Sequence, residues 1–376
     1  MNILVAPNSF KECADSVSIS EIINSVLLRQ SGFNIKLKPL SDGGDGFLSS
    51  YKYMSKIKSI TYLIKDNYRD KLNEYMVLLD ENSNAILIES AELFGLKVIP
   101  ENELNPLNIN SEGLGKLLLM INEDILNKKI DVKEVFLGVG GTATIDFGVG
   151  VCSQLGLELY DKLGNELAPI PKNFMEVVSY SFRKKELAFK IKCIVDVGTE
   201  LLGSPGAIEI FGKQKGASEE DLVLIKMGIE KVIDIFSKDR NFINKSKLNG
   251  AGGGLAAGLN LFFDAEIISA EYFITHYLMH DLDIDKIDAV ITGEGSLDFQ
   301  SFEGKGVGVI LKMFRDKNIP IFIICGSANL PETMKLTENV FVISLTSFFK
   351  DKKESIDNFR SGLVKATELV INQLIK

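Results

Sequence analysis

Short apolar runs alternate with amphipathic stretches near both ends of the chain, and this alternation constrains the fold more than any other feature. Ile3–Ala6 reads as a buried strand, and the apolar residues after it have helical spacing behind Ser16 or Ser18 as the capping residue. Strands are also predicted at 288–292, 320–325 and 340–345, and helices at 305–316 and 355–375. This order predicts an α/β protein with a doubly wound parallel sheet.

The middle of the chain departs from simple winding. Segments 60–64, 74–79 and 85–89 read as three strands with no helix between them. We therefore expect residues 1–60 and 286–376 to form one discontinuous α/β domain. Residues 61–285 are then an inserted second α/β domain.

Composition argues against several classes of protein. The 376 residues include 42 Lys and Arg against 51 Asp and Glu, a net charge of −9, whereas a nucleic-acid binder needs a basic face. No apolar stretch reaches the roughly 18 residues of a membrane span, and Met1–Ala6 is too short for the apolar core of a signal peptide. The four cysteines form no CxxC pair, so we expect reduced thiols in a cytoplasmic protein.

The segment 292–306 carries the densest polar chemistry. It follows the apolar run Ala289–Ile291 and contains four glycines, and its charged residues are Glu294, Asp298, Glu303 and Lys305. Carboxylates can hold Mg²⁺, a lysine can meet phosphate, and glycine lets a backbone come close to a ligand. Because α/β proteins bind ligands at the carboxyl ends of strands, we predict a ligand-binding loop here.

Familiar motifs elsewhere lack their usual context. Gly138-x-Gly140-x-x-Ala143 follows a strand as in dinucleotide-binding proteins, but Asp146–Gly148 interrupts the helix that should begin there. Asp146–Gly148 also spells the metal motif of protein kinases, without a His-Arg-Asp loop. His276 and His280 have metalloprotease spacing without the glutamate, so we interpret them as ordinary helix histidines.

Four further segments resemble 292–306 in chemistry and in position after a predicted strand. They are Ala6–Lys11, Ser41–Gly46, Gly140–Asp146, and Asp196 together with Phe211–Gly216. Any one of them alone is more simply an ordinary turn. Five on one chain predict a shared site for phosphate and a hydroxy acid.

Six motifs, in this order, resemble the bacterial glycerate kinase family, type 1. They are Ala6–Lys11, Ser41–Gly46, Gly140–Asp146, Phe211–Ala217, Gly250–Gly258 and Ile291–Ser301, and the resemblance runs from residue 3 to about 370. It implies ATP-dependent phosphorylation of D-glycerate, usually at the 2-hydroxyl to give 2-phosphoglycerate, with 3-phosphoglycerate as the alternative product. It also implies a flavodoxin-like domain joined to a domain of restriction-enzyme-like topology.

Departures from the family pattern bear on the substrate. Smaller ones occur at Asn8, Asp45, Ile145 and Asp196–Leu201. At Ser296 the family usually has an arginine, which could bind the glycerate carboxylate or a phosphate through two N–H groups. Either a lysine takes that role (Lys11, Lys213 or Lys305), or the protein is a kinase for another small hydroxy acid.

Phosphoryl transfer needs positioning, charge neutralisation and a group that orients the attacking hydroxyl. The carboxylates expected to hold Mg²⁺ are Asp42, Glu294 and Asp298. As catalytic residues we expect Asp196, which would accept or orient the hydroxyl proton, with Lys11 and Lys305. Residues expected to bind substrate or phosphate are Ser9, Gly43, Gly44, Gly140, Gly141, Thr142, Gly293 and Ser301.

Two simpler interpretations stay open. Asp42 and Asp196 could merely cap the turns that follow them. The chain could also be an inactive metabolite-binding protein that keeps the fold.

Overall fold

The structure is a computed structural model that describes residues 1–10, 13–54, 57–65, 71–196, 198–238, 248–302, 304–331 and 336–375. Its internal contacts divide the chain into two compact units. The first unit comprises Met1–Lys56 and Ser269–Lys376, and the second comprises Ile57–Ile268.

The elements follow one another along the chain as strands and mostly short helices. The strands are β1 (Asn2–Pro7), β2 (Asn34–Leu37), β3 (Lys58–Lys65), β4 (Leu72–Asp80), β5 (Ala85–Glu89), β6 (Glu134–Gly138), β7 (Leu157–Tyr160), β8 (Glu166–Leu167), β9 (Ser179–Phe182), β10 (Lys190–Val195), β11 (Glu266–Ser269), β12 (Ala289–Leu297), β13 (Ile321–Ala328) and β14 (Val340–Ser344). The α-helices are α1 (Ser16–Leu27), α2 (Phe47–Met54), α3 (Ser90–Phe94), α4 (Glu112–Leu126), α5 (Val149–Gln154), α6 (Ala207–Phe211), α7 (Glu219–Phe236), α8 (Leu255–Phe263), α9 (Ala270–Phe273), α10 (Gly306–Met313), α11 (Lys352–Asp357) and α12 (Phe359–Leu374).

The first unit is built on a parallel sheet in the order β2-β1-β12-β13-β14. Counted among the described strands of this unit, the order is 2-1-3-4-5, which is that of flavodoxin-like sheets. Alternate residues of β13 pack on opposite faces: Phe322 joins the core beneath α1 and α12, while Ile323 joins the core beneath α10. Helices on both faces explain why these strands are continuous apolar runs.

The helix predicted after β1 is present as α1. Its buried side includes Ile19, Ile22, Ile23 and Val26, as the spacing indicates. The capping residue was predicted wrongly, because Asp15 takes this role and its Oδ1 accepts a hydrogen bond from the Ser18 N–H at 2.7 Å. An aspartate satisfies a free N–H of the first turn as well as a serine does.

The second unit contains a mixed sheet in the order β11-β10-β6-β5-β4-β3. Strands β5, β6 and β10 are parallel to one another, while β3, β4 and β5 pair antiparallel. The three consecutive strands predicted here correspond to β3, β4 and β5. A small antiparallel sheet, β8-β7-β9, accompanies them.

No helix within the described part of the chain is both long and apolar enough to cross a membrane. Cys152, Cys193 and Cys325 are buried thiols, and Cys13 is half-buried.

Candidate functional site

Strand order reverses between β1 and β12. In open α/β sheets, ligands usually bind at such a reversal, outside the carboxyl ends of the strands. In register, Pro7 at the end of β1 lies opposite Gly293, and the Asn8 N–H donates to the Gly293 carbonyl at 2.8 Å. Ser9 follows, with its N–H donating to Asn8 Oδ1 at 2.8 Å. Lys11, two residues further, lies outside the described residues.

The segment predicted to be a loop from residue 292 begins as a strand instead. β12 continues to Leu297 because it keeps pairing with β13 after β1 has ended, with Ser296 opposite Ser327. Gly293 therefore lies inside the sheet. A Cβ on it would lie only 1.8 Å from the Ile324 carbonyl oxygen, so close packing of β13 is enough to explain this glycine.

A group of acidic side chains surrounds the end of β12. We call Asp42, Glu294 and Asp298, with Ser301 and Lys305, the acidic cluster. Burial raises the pKa of Glu294, and the negative charges of Asp298 and Asp42 add to this. A hydrogen bond from Ser301 and the nearby Lys305 ammonium oppose the increase in the Glu294 pKa. Glu294 Oε1 is buried and has no hydrogen-bond partner among the described residues.

The turn after β12 is organised by its own side chains. Ser301, almost fully buried, accepts the Asp298 N–H on Oγ at 2.9 Å, and Asp298 Oδ1 accepts the Gln300 N–H at 2.9 Å. Lys305 is the N-cap residue of α10. These bonds place Ser301 next to Glu294. Glu303 lies outside the described residues.

The loop after β2 shows the capping geometry that was the simpler interpretation of Asp42. Asp42 Oδ1 accepts the Gly44 N–H at 3.3 Å, and Ser41 Oγ accepts the Gly43 N–H at 3.3 Å. Gly43 has φ 84°, a conformation that favours glycine. The N–H groups of Gly43 and Gly44, which we expected to contact phosphate, therefore donate hydrogen bonds within the turn. Capping does not exclude Asp42 from the acidic cluster, because its charge acts on Glu294.

In the second unit, predicted site residues follow two neighbouring parallel strands. Asp196 comes directly after β10, and Gly140–Thr142 follows β6. Ile194 is opposite Gly138 in the register, so both groups lie at the same edge of the sheet. Asp196 is half-buried, and its Oδ1 is shielded from solvent.

Backbone hydrogen bonds and a buried lysine both hold the segment 140–144. The Leu96 N–H donates to the Gly141 carbonyl at 3.0 Å, and the Ala143 N–H donates to the Phe94 carbonyl at 2.8 Å. Lys215 Nζ donates to the Thr144 carbonyl at 3.0 Å and lies 3.5 Å from Thr142 Oγ1. We call Gly140–Thr144 with Lys215 the lysine-held loop.

Lys215 is a residue that sequence reasoning passed over in favour of Lys213. Lys213 is exposed and pairs with Glu219, whereas Lys215 is buried. Burial lowers the pKa of Lys215 to about 8, while the Asp146 carboxylate acts to raise it. The following Gly216, at φ 89°, ends the short helical turn Lys213–Lys215 and was the signal available in the sequence.

Asp146 supports the backbone rather than forming a kinase-type metal motif. Its fully buried carboxylate accepts hydrogen bonds from the N–H groups of Ser111, Gly148 and Gly150 and from Ser111 Oγ, at 2.7 to 3.1 Å. Burial raises the pKa of Asp146, and these hydrogen bonds act in the opposite direction.

The glycine-rich turn Gly250–Gly258 packs against the same part of the chain. A Cβ on Gly253 would lie 2.1 Å from the Thr144 carbonyl oxygen, and one on Gly258 would lie 2.0 Å from that of Phe147. Glycine is thus required here by close packing of backbone on backbone.

His276 lies in the helical segment Ile274–Leu278, as expected, whereas His280 lies in the turn beyond its end. His276 Nδ1 lies 3.0 Å from the Tyr272 carbonyl, and His280 Nδ1 lies 2.8 Å from that of Tyr277. Within the described ranges, no three His, Cys, Asp or Glu side chains are placed so that they could jointly hold a metal ion.

Comparisons with known proteins agree over the whole chain. A family profile described as "Glycerate kinase family" matches residues 3–375. A glycerate kinase of Neisseria meningitidis serogroup B is 33% identical over 87% of this chain and 86% of its own length. A glycerate 2-kinase of Escherichia coli K12 is 30% identical over 91% of this chain and 87% of its own length. The crystal structure of a candidate glycerate kinase 2 from Salmonella typhimurium LT2 superposes with a TM-score of 0.74 at 25% identity, covering 100% of both chains. The chain belongs to the glycerate kinase family, a family of phosphotransferases.

Proposed function

We propose that the protein transfers the γ-phosphoryl group of ATP to the 2-hydroxyl of D-glycerate, giving 2-phosphoglycerate and ADP. The observation that carries this proposal is the acidic cluster at the reversal of strand order, because phosphoryl transfer requires carboxylates and a lysine near the phosphates. Family membership over nearly the whole chain supports the same reaction class.

The acidic cluster fits Mg²⁺ by the chemistry of its donors. Glu294 Oε1 is a buried carboxylate oxygen without a hydrogen-bond partner among the described residues, and two further carboxylates act on it. Mg²⁺ typically takes one or two protein carboxylates and completes its shell with water and phosphate oxygens. A ready-made cage of three protein ligands is therefore not required. When bound, Mg²⁺ would supply positive charge against the phosphate oxygens.

The side chains would divide the remaining work. Lys305 would bind a phosphate or the glycerate carboxylate, as would Lys11. The N–H groups of Gly140 and Gly141, with Ser9, Thr142 and Ser301, would contact phosphate or substrate oxygens. Those of Gly43 and Gly44 would do so after releasing their bonds within the turn, and Gly293 would serve the packing of β12 on β13 instead.

Asp196 would orient the glycerate hydroxyl and accept its proton. The hydroxyl oxygen forms the new bond to the γ-phosphorus, and the bond from that phosphorus to the bridging oxygen breaks, so that ADP leaves with those electrons. Asp196 Oδ1 is suited to this role because it is shielded from solvent, so water competes little for the hydroxyl.

The reaction is tested by giving purified protein D-glycerate and Mg-ATP and separating 2- from 3-phosphoglycerate by phosphorus NMR. We expect 2-phosphoglycerate. The Asp298→Ala variant is the control, and turnover no higher than in this variant would refute the assignment. A product of 3-phosphoglycerate would keep the reaction class and change the position of attack.

The role proposed for Lys11 has its own test. Lys11→Ala should lower kcat/KM, because a phosphate would lose a positive charge. An unchanged kcat/KM would exclude phosphate contact by Lys11.

A kinase for another small hydroxy acid is the second candidate, and Ser296 favours it. Ser296 is exposed on β12, beyond the end of β1, where the family pattern has an arginine. A panel containing glycolate, lactate and tartronate beside D-glycerate separates the two candidates by their kcat/KM values. If the chain is instead an inactive binding protein, D-glycerate or ATP should raise its Tm, and no phosphate should be transferred.

A further inference from the structure

Lys215 is a charged side chain enclosed within the second unit. Only 6% of the residue is exposed, although it sits two positions from the exposed Lys213. The tight turn that places it ends at Gly216, where a Cβ would lie 2.5 Å from the Leu104 carbonyl oxygen. Burying an ammonium group is unfavourable unless the protein supplies partners, so its position calls for a reason.

The partners of this ammonium lie on one short stretch of chain. Nζ donates to the Thr144 carbonyl at 3.0 Å and is 3.5 Å from Thr142 Oγ1, and the Asp146 carboxylate attracts it. The contacts join residues more than 70 positions apart in sequence. Lys215 thus holds the segment that follows β6 rather than its own helical turn.

Backbone hydrogen bonds also hold that segment. They join Gly141 to Leu96 and Ala143 to Phe94, and Gly141 has φ 74°. These bonds and the contacts of Lys215 together fix the backbone around the buried Thr142. A loop held in this way can present the N–H groups of the exposed Gly141 and the half-buried Gly140 to an anion without reorganising.

We propose that Lys215 is a positioning residue for phosphoryl transfer, which holds Thr142 and the backbone of the lysine-held loop in the conformation that binds a phosphate group. This rests on the proposed function of that loop. Lys215 acts through Thr142 and Thr144, and not by contact with the transferred group.

The test compares Lys215→Met with Lys129→Met. Both variants remove one lysine of the second unit, but Lys129 lies at the surface, where its Nζ pairs with Asp124 Oδ1 at 2.8 Å. Activity with D-glycerate and Mg-ATP is measured well below the Tm of each variant, together with calorimetric binding of ATP and of 2-phosphoglycerate. For Lys215→Met we expect kcat/KM to fall at least about tenfold and at least one of the two Kd values to rise about as much. Lys129→Met should match the wild type within about twofold, since it removes only a surface ion pair, and Lys215→Arg, which keeps the charge, should recover part of the loss.

A purely structural role gives a different pattern. Lys215→Met would then lower Tm while its kcat/KM and both Kd values equal those of Lys129→Met, and this result would overturn the proposal. Should Lys215→Met fail to fold, Lys215→Gln, which keeps an N–H donor, replaces it with the same two outcomes. If the wild type binds both ligands without turnover, the proposed function fails, and the Kd comparison still decides the role of Lys215.

Discussion

The acidic cluster and the lysine-held loop both place charge in buried surroundings, but they satisfy that charge differently. Lys215 donates to oxygen atoms of its own chain, whereas Glu294 keeps a buried oxygen without a partner among the described residues. A buried charged group that hydrogen-bonds to its own chain holds the backbone in place. A buried carboxylate oxygen that has no such partner is suited to binding a ligand cation. We therefore propose ligand binding for the acidic cluster and positioning for Lys215.

The largest effect expected is that of Glu294→Gln on activity. This change keeps the shape of the side chain and removes the negative charge, so we expect kcat/KM to fall by roughly 10²- to 10³-fold, as when a preorganised electrostatic contact is lost. Asp283→Asn is the matched control, because Asp283 belongs to the same unit and pairs with Lys286 at the surface.

Glu294→Gln should lower activity without lowering the stability of the fold. Burial raises the pKa of Glu294, so the folded state disfavours its carboxylate form, and a neutral amide removes that disadvantage. We expect a Tm equal to or above that of the wild type at neutral pH. A lower Tm together with normal activity would show that Glu294 holds the fold, and the comparison above would fail.

The sequence was more informative for the acidic cluster than for the lysine-held loop, and the reason is distance along the chain. Four of the acidic cluster's five members, Glu294, Asp298, Ser301 and Lys305, lie within 12 consecutive residues that begin near the end of one strand, so their grouping was visible as a motif. The partners of Lys215 lie 73 and 71 positions away, and only the pairing of β6 with its neighbours brings them close. Contacts of this kind come from topology, which composition and spacing do not encode.

Element boundaries show the same limit. The apolar run Ala289–Ile291 predicted a strand, but its continuation to Leu297 through Gly293 and Ser296 depends on pairing with β13, which spacing within 292–297 does not show. Asp15, Ser16 and Ser18 are short polar residues close together in sequence, and each is a suitable cap for α1. The sequence therefore did not decide between them, and the structure shows Asp15 as the cap. Whole elements were therefore easier to predict than their ends.

The next effect concerns the pH dependence of stability and tests whether Lys215 is truly enclosed. The pKa of Lys215 falls from 10.5 in the unfolded chain to about 8 in the folded protein. Between these values the unfolded state holds the proton more tightly, so the free energy of unfolding should rise with pH from about 8 to about 10.5, by up to ~3 kcal/mol for this group.

Urea unfolding of the wild type and of Lys215→Met across this pH range isolates the contribution, because other groups titrate alike in both proteins. The wild type should gain stability relative to the variant as pH rises. A difference that stays constant from pH 7 to 10.5 would mean that the Lys215 ammonium is well solvated, and the contrast with Glu294 would disappear.

The smallest effect expected is that of Ser296→Arg, and it sharpens the assignment of the acidic cluster to a particular substrate. Ser296 is exposed where β12 extends beyond β1, three positions from the buried Gly293. An arginine here could add a hydrogen-bonded contact with the glycerate carboxylate worth about 1.5 kcal/mol, so kcat/KM for D-glycerate should rise roughly tenfold. Ser327→Arg is the control, because Ser327 lies opposite Ser296 in the register of β12 and β13.

If Ser296→Arg instead lowers kcat/KM for D-glycerate while the wild type prefers glycolate, lactate or tartronate, the serine is a specificity residue for that acid. The acidic cluster would then keep its role in phosphoryl transfer, and the substrate proposed for it would be wrong.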